Sequence, residues 1–448
     1  MVRESLRAVS AARRVVAPHG MTAAVAAVLW LAATGALCAG EAAADGLIAS
    51  PEAGWPQWRG PRRDGISNET GLLASWPEGG PKRLWKIDDL GRGWSSPIIV
   101  NGTVYVTGDV GKDLVIYAFD LGGRPKWKVT NGRAWTRSFP GSRACCAYSE
   151  GVLYHMNAHG RVAALDASTG KQRWAVEVLE RFGSRNITWA MGECLLVDGP
   201  RLIVTPAGPK TLMAALDKTD GRTVWTCEPV PDEVASYCSP ILFRHSGRRF
   251  LTNCTSHHAF GVDADTGKLL WTVPLRNRHG VTITTPVYGG GCVFYVTPDG
   301  PDGVCYRIGG DPPGTRVALV WRSPVDTLTG GAVLVDGLLF ANGCKKSKTL
   351  HAIDWTSGRT RYELPRFTSE RPRWGGGACV WADGRLYCLI EDGRVALLEP
   401  KPDGFAVAGR FQLVDAKRAD AWAHPVLLDG RLYLRYDETL WCYDVRGR

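Results

Sequence analysis

The 448-residue chain carries 54 Lys and Arg against 44 Asp and Glu, a formal net charge of +10, and 45% of its residues are apolar. That apolar share supports a large buried core. The basic surplus is scattered with no Lys/Arg block, which argues against nucleic acid as a partner.

In chain order, the N-terminus reads first as an export signal. Arg3, Arg7, Arg13 and Arg14 precede an apolar run from Met21 to Leu37, and Ala42-Ala43-Ala44 offers a small-residue cleavage site. The run is short for a spanning helix. Membrane association is expected only if this segment stays uncleaved or is lipidated at Cys38. The reading is therefore a signal over residues 1–44 and a mature chain in the periplasm or another extracytoplasmic space. Disulfides are permitted there for the 12 remaining Cys. No Cys spacing fits a c-type haem or a zinc site, so no metal is expected from these motifs.

Residues 45–82 form a lead-in rich in Pro, Gly and Trp, with Trp55-Pro-Gln-Trp58-Arg59-Gly60-Pro61 at its centre. Its Trp residues need a surface to pack on, so the lead-in is expected to lie against the domain at 83–448. A short strand near Trp85 follows. From there one plan repeats: an apolar strand, a Gly-containing turn, a second strand, a loop, a third strand, and an Asp…Gly…Trp turn into a fourth. Asp120…Trp127, Asp166…Gly170…Trp174, Asp217…Gly221…Trp225, Asp263…Gly267…Trp271 and Asp354…Gly358…Tyr362 carry the turn. Asp bonds the backbone ahead of it and Gly accepts a positive φ. The first hairpins turn at Asn101-Gly102, Glu150-Gly151, Asp336-Gly337, Asp383-Gly384 and Asp429-Gly430, the strongest short hairpin signal. The fourth-strand aromatics Trp85, Trp127, Trp174, Trp225, Trp271, Trp321, Tyr362 and Phe411 recur every 41 to 51 residues, the length of a propeller blade. After Phe411 only three strands remain, and the strand at Trp85 supplies the fourth. The expectation is an all-β, eight-bladed propeller of four-stranded antiparallel blades, closed by its N-terminal strand and monomeric.

The Ala-x-Asp-x-x-Thr-Gly-Lys-x-x-Trp pattern at Ala164–Trp174 resembles the PQQ-binding-like β-propeller repeat family, which includes quinoprotein alcohol dehydrogenases and BamB-like assembly factors. The Trp-Pro-Gln-Trp-Arg-Gly-Pro lead-in looks like an exported, BamB-like branch, and the likeness covers roughly residues 52–446. The family holds both enzymes and scaffolds, so the resemblance implies fold more than activity. Under the enzyme reading it implies that Cys145-Cys146 form a vicinal disulfide against PQQ, with calcium nearby. Here, however, the pair lies directly on the first strand of its blade, and no calcium or Asp-base motif is recognisable. Buried thiols are the alternative.

Two-residue turn geometry makes Cys379 and Cys388 cross-strand neighbours. Cys292 with Cys305, and Cys238 with Cys254, are symmetric about their loops. His257 and His258 are adjacent, so on a strand they would point to opposite faces. Finally, loops that join a fourth strand to the next blade's first strand emerge on one face. They carry Arg92, Trp94, Arg133, Trp135, Arg137, Arg143, Arg185, Trp189, Arg276, Arg278, His279, Arg371, Arg373, Trp374, Trp422 and His424. Arg planes and aromatic faces suit a flat or anionic ligand. The leading expectation is a non-catalytic scaffold that binds a protein partner or an anionic ligand on this face. A PQQ-dependent dehydrogenase is the first alternative and binding of an acidic polysaccharide the second.

Overall fold

The structure is a computed structural model that describes residues 44–300, 302–310, 314–344, 348–365, 377–415 and 419–447. Residues 1–43, where an export signal is expected, and the loop residues Arg371, Arg373 and Trp374 lie outside them. Eight antiparallel blades of four strands each follow one another around a ring, and Gly46–Leu47 adds a short fifth strand to the sheet of Ile241–His245. We number the blades 1 to 8 from 98–133, 147–177, 196–226, 241–274, 287–323, 332–364, 377–412 and 426–444. In blade 8, Lys82–Ile87 pairs with Thr439–Asp444 and supplies the fourth strand, so the first and last strands of the propeller close the ring in one sheet.

The repeat turns are built as their residues dictate. Asp166 Oδ1 accepts the N–H groups of Ser168 and Thr169, and the Gly170 N–H donates to the Asp166 carbonyl at 2.8 Å. The register slips by one residue before Trp174, which turns the indole toward the next blade. The Trp127 indole donates to Ala167 O, Trp174 to Lys218 O, Trp321 to Trp355 O, and Trp85 to Leu121 O. Each acceptor is the residue after the turn position in the following blade. Gly170 has φ 75°, and a Cβ there would come within 2.7 Å of the Trp127 ring. Glycine is therefore fixed both by its backbone and by the indole beneath it.

Blade 7 departs from this plan. Phe411 pairs with Val395, whereas the register position that Trp holds elsewhere belongs to Gly409, facing Leu397. The space over Gly409 is filled from outside the repeat. Trp76 of the lead-in lies there, its N–H bonded to Ala408 O at 3.0 Å, and its Cβ would stand 2.6 Å from one placed on Gly409. Phe411, two residues on, still receives the next turn, because Gly80 sits on its ring.

The lead-in also crosses the ring axis. Trp55 exchanges backbone bonds with Ile99 of blade 1, and Pro56 O accepts from Tyr148 of blade 2. Arg63 donates to Leu195 O and Cys194 O beside blade 3 and to Pro240 O beside blade 4. The Trp58 indole donates to Thr285 Oγ1 beside blade 5, and Arg59 to Ala332 O of blade 6. Gly65 and Ser67 bond Trp381 of blade 7, and Arg59 reaches His424 beside blade 8. Residues 55–67 thus touch the innermost strand, or the residues entering it, in all eight blades.

Candidate functional site

On this plug stands a cavity of about 260 Å³ whose walls come from the loops that enter the first strands. Trp58 and Arg59 belong to the lead-in. Around them stand Trp94, Phe139, Arg143, Trp189, Tyr237, Asn277, His279, Asp299, Trp422 and His424. One wall is a run of rings, with Trp422 4.7 Å from Trp94 and 5.6 Å from Phe139. Opposite, Trp189 lies 6.4 Å from both Tyr237 and His279. Trp58 packs on His424 at 4.4 Å.

Of the loop residues singled out in the sequence, the structure gathers Trp94, Arg143, Trp189, His279, Trp422 and His424 at this cavity. It does not gather Arg92, Arg133, Arg137, Arg185, Arg276 or Arg278, which are exposed and do not line it. A guanidinium is strongly hydrated, whereas an indole gains by leaving water, so the aromatic members of the loops converge and most of the arginines do not. Trp135 is buried behind the wall, its indole bonded to Ser138 O and its ring under Arg137 and Arg143. Sequence reasoning missed Trp58, Arg59, Phe139, Tyr237, Asn277 and Asp299. The first two stand in a motif that had been read only as packing.

Two guanidiniums govern the electrostatics. Arg143 stacks 5.2 Å from the Trp94 ring and donates to Gly141 O and Phe139 O. Arg59 is buried and donates to the carbonyls of Arg63, Asp64 and Ala332. Burial pulls both down to about 10, and neither has a carboxylate within ion-pair distance among the described residues. His424 Nε2 donates to Thr329 O at 2.8 Å, so its Nδ1 accepts from Arg59. Burial and the Arg59 charge hold the imidazole down to about 3, so it is neutral. Behind the wall, burial pushes Asp109 up to about 6 against a bond from the Trp135 N–H.

The cysteines are arranged differently from the family's vicinal pair. Cys145 and Cys146 are buried thiols that do not line the cavity. The Cys145 N–H donates to Cys194 Sγ at 3.2 Å, so the near partner of Cys145 lies at the entry to blade 3 and is not its neighbour in sequence. Burial drives the Cys145 and Cys146 thiols up. At Cys194 burial is outweighed by the Cys145 thiol, the Cys145 N–H and the Arg63 charge, which hold that thiol below its ordinary value. Cys379 does face Cys388, with Sγ atoms 3.0 Å apart. Cys292 and Cys305 stand two residues apart in register, facing Arg307 and Phe294, yet their thiols are neighbours, as are those of Cys238 and Cys254. Both His257 and His258 reach Glu233 Oε1, at 3.5 and 2.6 Å. Only His258 lies on the strand, so strand alternation does not separate them.

Calcium-bound PQQ does not fit this donor set. Among the described residues, the one carboxylate on the wall is Asp299. The nearby Glu193 is buried and occupied by the Thr205 N–H and hydroxyl. No group of three His, Cys, Asp or Glu residues among those described could hold a metal.

Comparison with known proteins agrees with this architecture. A quinohemoprotein alcohol dehydrogenase, ADH-IIG, from Pseudomonas putida is 30% identical over 157 residues, 32% of this chain and 21% of that protein. The chain spans about a quarter or less of the length of the curated relatives it matches. Among solved structures, BamB from Moraxella catarrhalis aligns with a TM-score of 0.57 at 15% identity, covering 81% of this chain and 99% of that one. The quinohemoprotein alcohol dehydrogenase from Comamonas testosteroni aligns at 0.58 and 13%, covering 88% and 80%. At these identities the structural likenesses speak to fold alone. The profile of the family described as outer membrane protein assembly factor BamB matches residues 112–363, more than half of the chain. With the closed ring of eight blades and the repeated Asp…Gly…Trp turns, this places the chain in the BamB-type PQQ-like propeller family.

Proposed function

We propose that this chain is an exported, non-catalytic binding propeller that holds a ligand or a protruding segment of a partner in its axial cavity. The observation that carries the reading is the plug. Residues 55–67 bond to every blade and set Trp58 and Arg59 as the cavity base. The channel is thereby converted into a shallow, aromatic-walled receptacle of the kind that suits binding. The export pattern of residues 1–44 supports an extracytoplasmic setting. The rival reading takes its support from the relatives named as quinone-dependent alcohol dehydrogenases. Among the described residues there is no carboxylate set for calcium and no sulfur pair facing the cavity to support it.

The test is to titrate the purified chain with PQQ, with and without calcium, and to follow dye-linked oxidation of primary alcohols. The expected result is no turnover. Stoichiometric PQQ uptake with turnover that disappears in Cys145→Ala would overturn the proposal.

A further inference from the structure

Resting on the reading of the cavity as a binding site, we propose that its occupant is the carboxylated six-membered ring of a uronic acid, free or as a unit of an acidic glycan. Three features lead there.

The first is the shape of the walls. Trp94 and Trp422 are inclined by 38° and Phe139 and Trp422 by 35°, while across the cavity Trp189 meets His279 at 78°. Rings tilted in this way form a bowl. A flat, fused heterocycle gains most between two parallel faces. A puckered sugar ring presents C–H groups in several directions and can meet tilted indoles on more than one side.

The second is charge. Arg143 and Arg59 line the cavity with no carboxylate in direct ion-pair contact among the described residues. Asp109 behind the wall and Asp64 act on them only at a distance, and their donated bonds go to neutral carbonyls and, from Arg59, to His424. A desolvated guanidinium is favoured by a carboxylate placed against it, because the attraction is strong where water is excluded. The planar fork of Arg143, held against Trp94, is pre-set for such a group.

The third is the spacing of polar groups between the rings. Ser239, Thr284 and Thr285 interrupt the aromatic wall. Each hydroxyl keeps hydrogen-bonding capacity beyond its contact with the Cys194 N–H, the Thr327 and Leu328 carbonyls or the Trp58 indole, whereas Asn277 is spent on Val281, Thr297 and His279. Hydroxyls in such positions match the hydroxyl edge of a sugar and have no counterpart on an apolar peptide side chain. The volume of about 260 Å³ suits a single ring with its substituents and not a folded segment.

The experiment is calorimetric titration of the full mature chain, alongside quenching of its Trp fluorescence. The probes are galacturonate and glucuronate oligomers, neutral glucose and galactose oligomers of equal length, an acidic peptide, and PQQ. Uronate oligomers are expected to bind at least tenfold more tightly than their neutral counterparts, and the preference should shrink as salt rises. Trp422→Ala should weaken uronate binding ten- to a hundredfold. Arg143→Gln should remove the preference for acidic over neutral sugars while leaving the weak neutral binding, and Arg143→Lys should restore part of it. Thermal melting of each variant establishes that the ring is intact.

Equal binding of neutral and acidic sugars would overturn the inference. So would binding of the acidic peptide or of PQQ with none of uronates. PQQ-dependent turnover would sink the binding-propeller reading itself, whereas uronate silence without turnover would sink only the identity of the ligand.

Discussion

The outer rim and the axial channel of this propeller are held together by opposite means. On the rim, one device recurs. A carboxylate caps a turn, a glycine lies on an indole, and the indole bonds the next turn, as at Asp166, Gly170 and Trp127. Each contact joins nearest neighbours, so rim stability is spread over many similar and modest terms. In the channel nothing repeats. A single segment from outside the blades meets all eight of them at the innermost strand or its entry, and its two buried arginines satisfy carbonyls from several blades. The rim tolerates local loss, while the channel concentrates dependence in a few side chains.

Removal of Arg63 should therefore be the most damaging single change. It donates to Pro240, Leu195 and Cys194 carbonyls and to Gln57, and it lies beside the buried Glu193. Arg63→Ala strands these acceptors without water and leaves an acid without its nearest cation. The expected loss is about 3–5 kcal/mol in denaturant unfolding. A loss no larger than that of a rim substitution would show that the plug is ornamental and that the two regions do not differ as argued.

The same contrast explains what could be read from the sequence. Eight blades, the closing strand at Trp85 and the hairpin turns were legible because the rim device is local and periodic. The register of blade 7 was not, since Phe411 offers an aromatic at the expected spacing while the slot itself belongs to Gly409 and is filled by Trp76. No period links Trp76 to that blade. At the candidate site, Trp94, Trp189 and Trp422 were found through the loop rule. Arg59 and Trp58 could not be, because only the three-dimensional path of the lead-in carries them to the axis. Cys145 was read with its neighbour, whereas its near partner Cys194 is 49 residues away in sequence. Contacts between blades made by unrepeated residues leave no signature in one chain.

A second way to sharpen the comparison is through acids. In the channel, burial pushes Glu193 up to about 7 despite two bonds from Thr205. A carboxyl whose folded value is raised stabilises the fold fully below its unfolded value near 4.5, and loses that contribution as pH rises through about 7. Between those limits the wild-type should lose on the order of 3 kcal/mol from this group. Glu193→Gln keeps a neutral hydrogen-bonding side chain, so its stability should vary less over the same interval, and the two denaturation curves should converge at pH 5. Parallel curves from pH 5 to 8 would contradict the assignment.

On the rim, the indole docking can be probed at Trp174, a half-buried ring that lies under Gly221 and donates to Lys218 O. Trp174→Ala should lower stability by about 2–3 kcal/mol, less than a fully enclosed Trp would. Binding at the axial cavity should be unchanged in the folded fraction, because the ring touches only blades 2 and 3. A selective loss of binding with unaltered melting would mean that rim and channel communicate, and would break the separation drawn between them.

The smallest effect should come from Asp166, and its sign matters more than its size. The Ser168 hydroxyl, Arg173 and the Thr169 hydroxyl together hold this carboxyl well below its ordinary range. A lowered acid stabilises the fold above its unfolded value and loses that contribution as pH falls, the reverse of Glu193. Because the side chain is exposed to solvent screening, Asp166→Asn should lower stability at pH 7 by about 1 kcal/mol or less. The gap between variant and wild-type should close in acid. Measured together, the two carboxyl variants should diverge from wild-type at neutral pH in opposite directions, the rim variant less stable and the channel variant gaining ground. If both shifted the same way with pH, burial would not be what distinguishes the two regions.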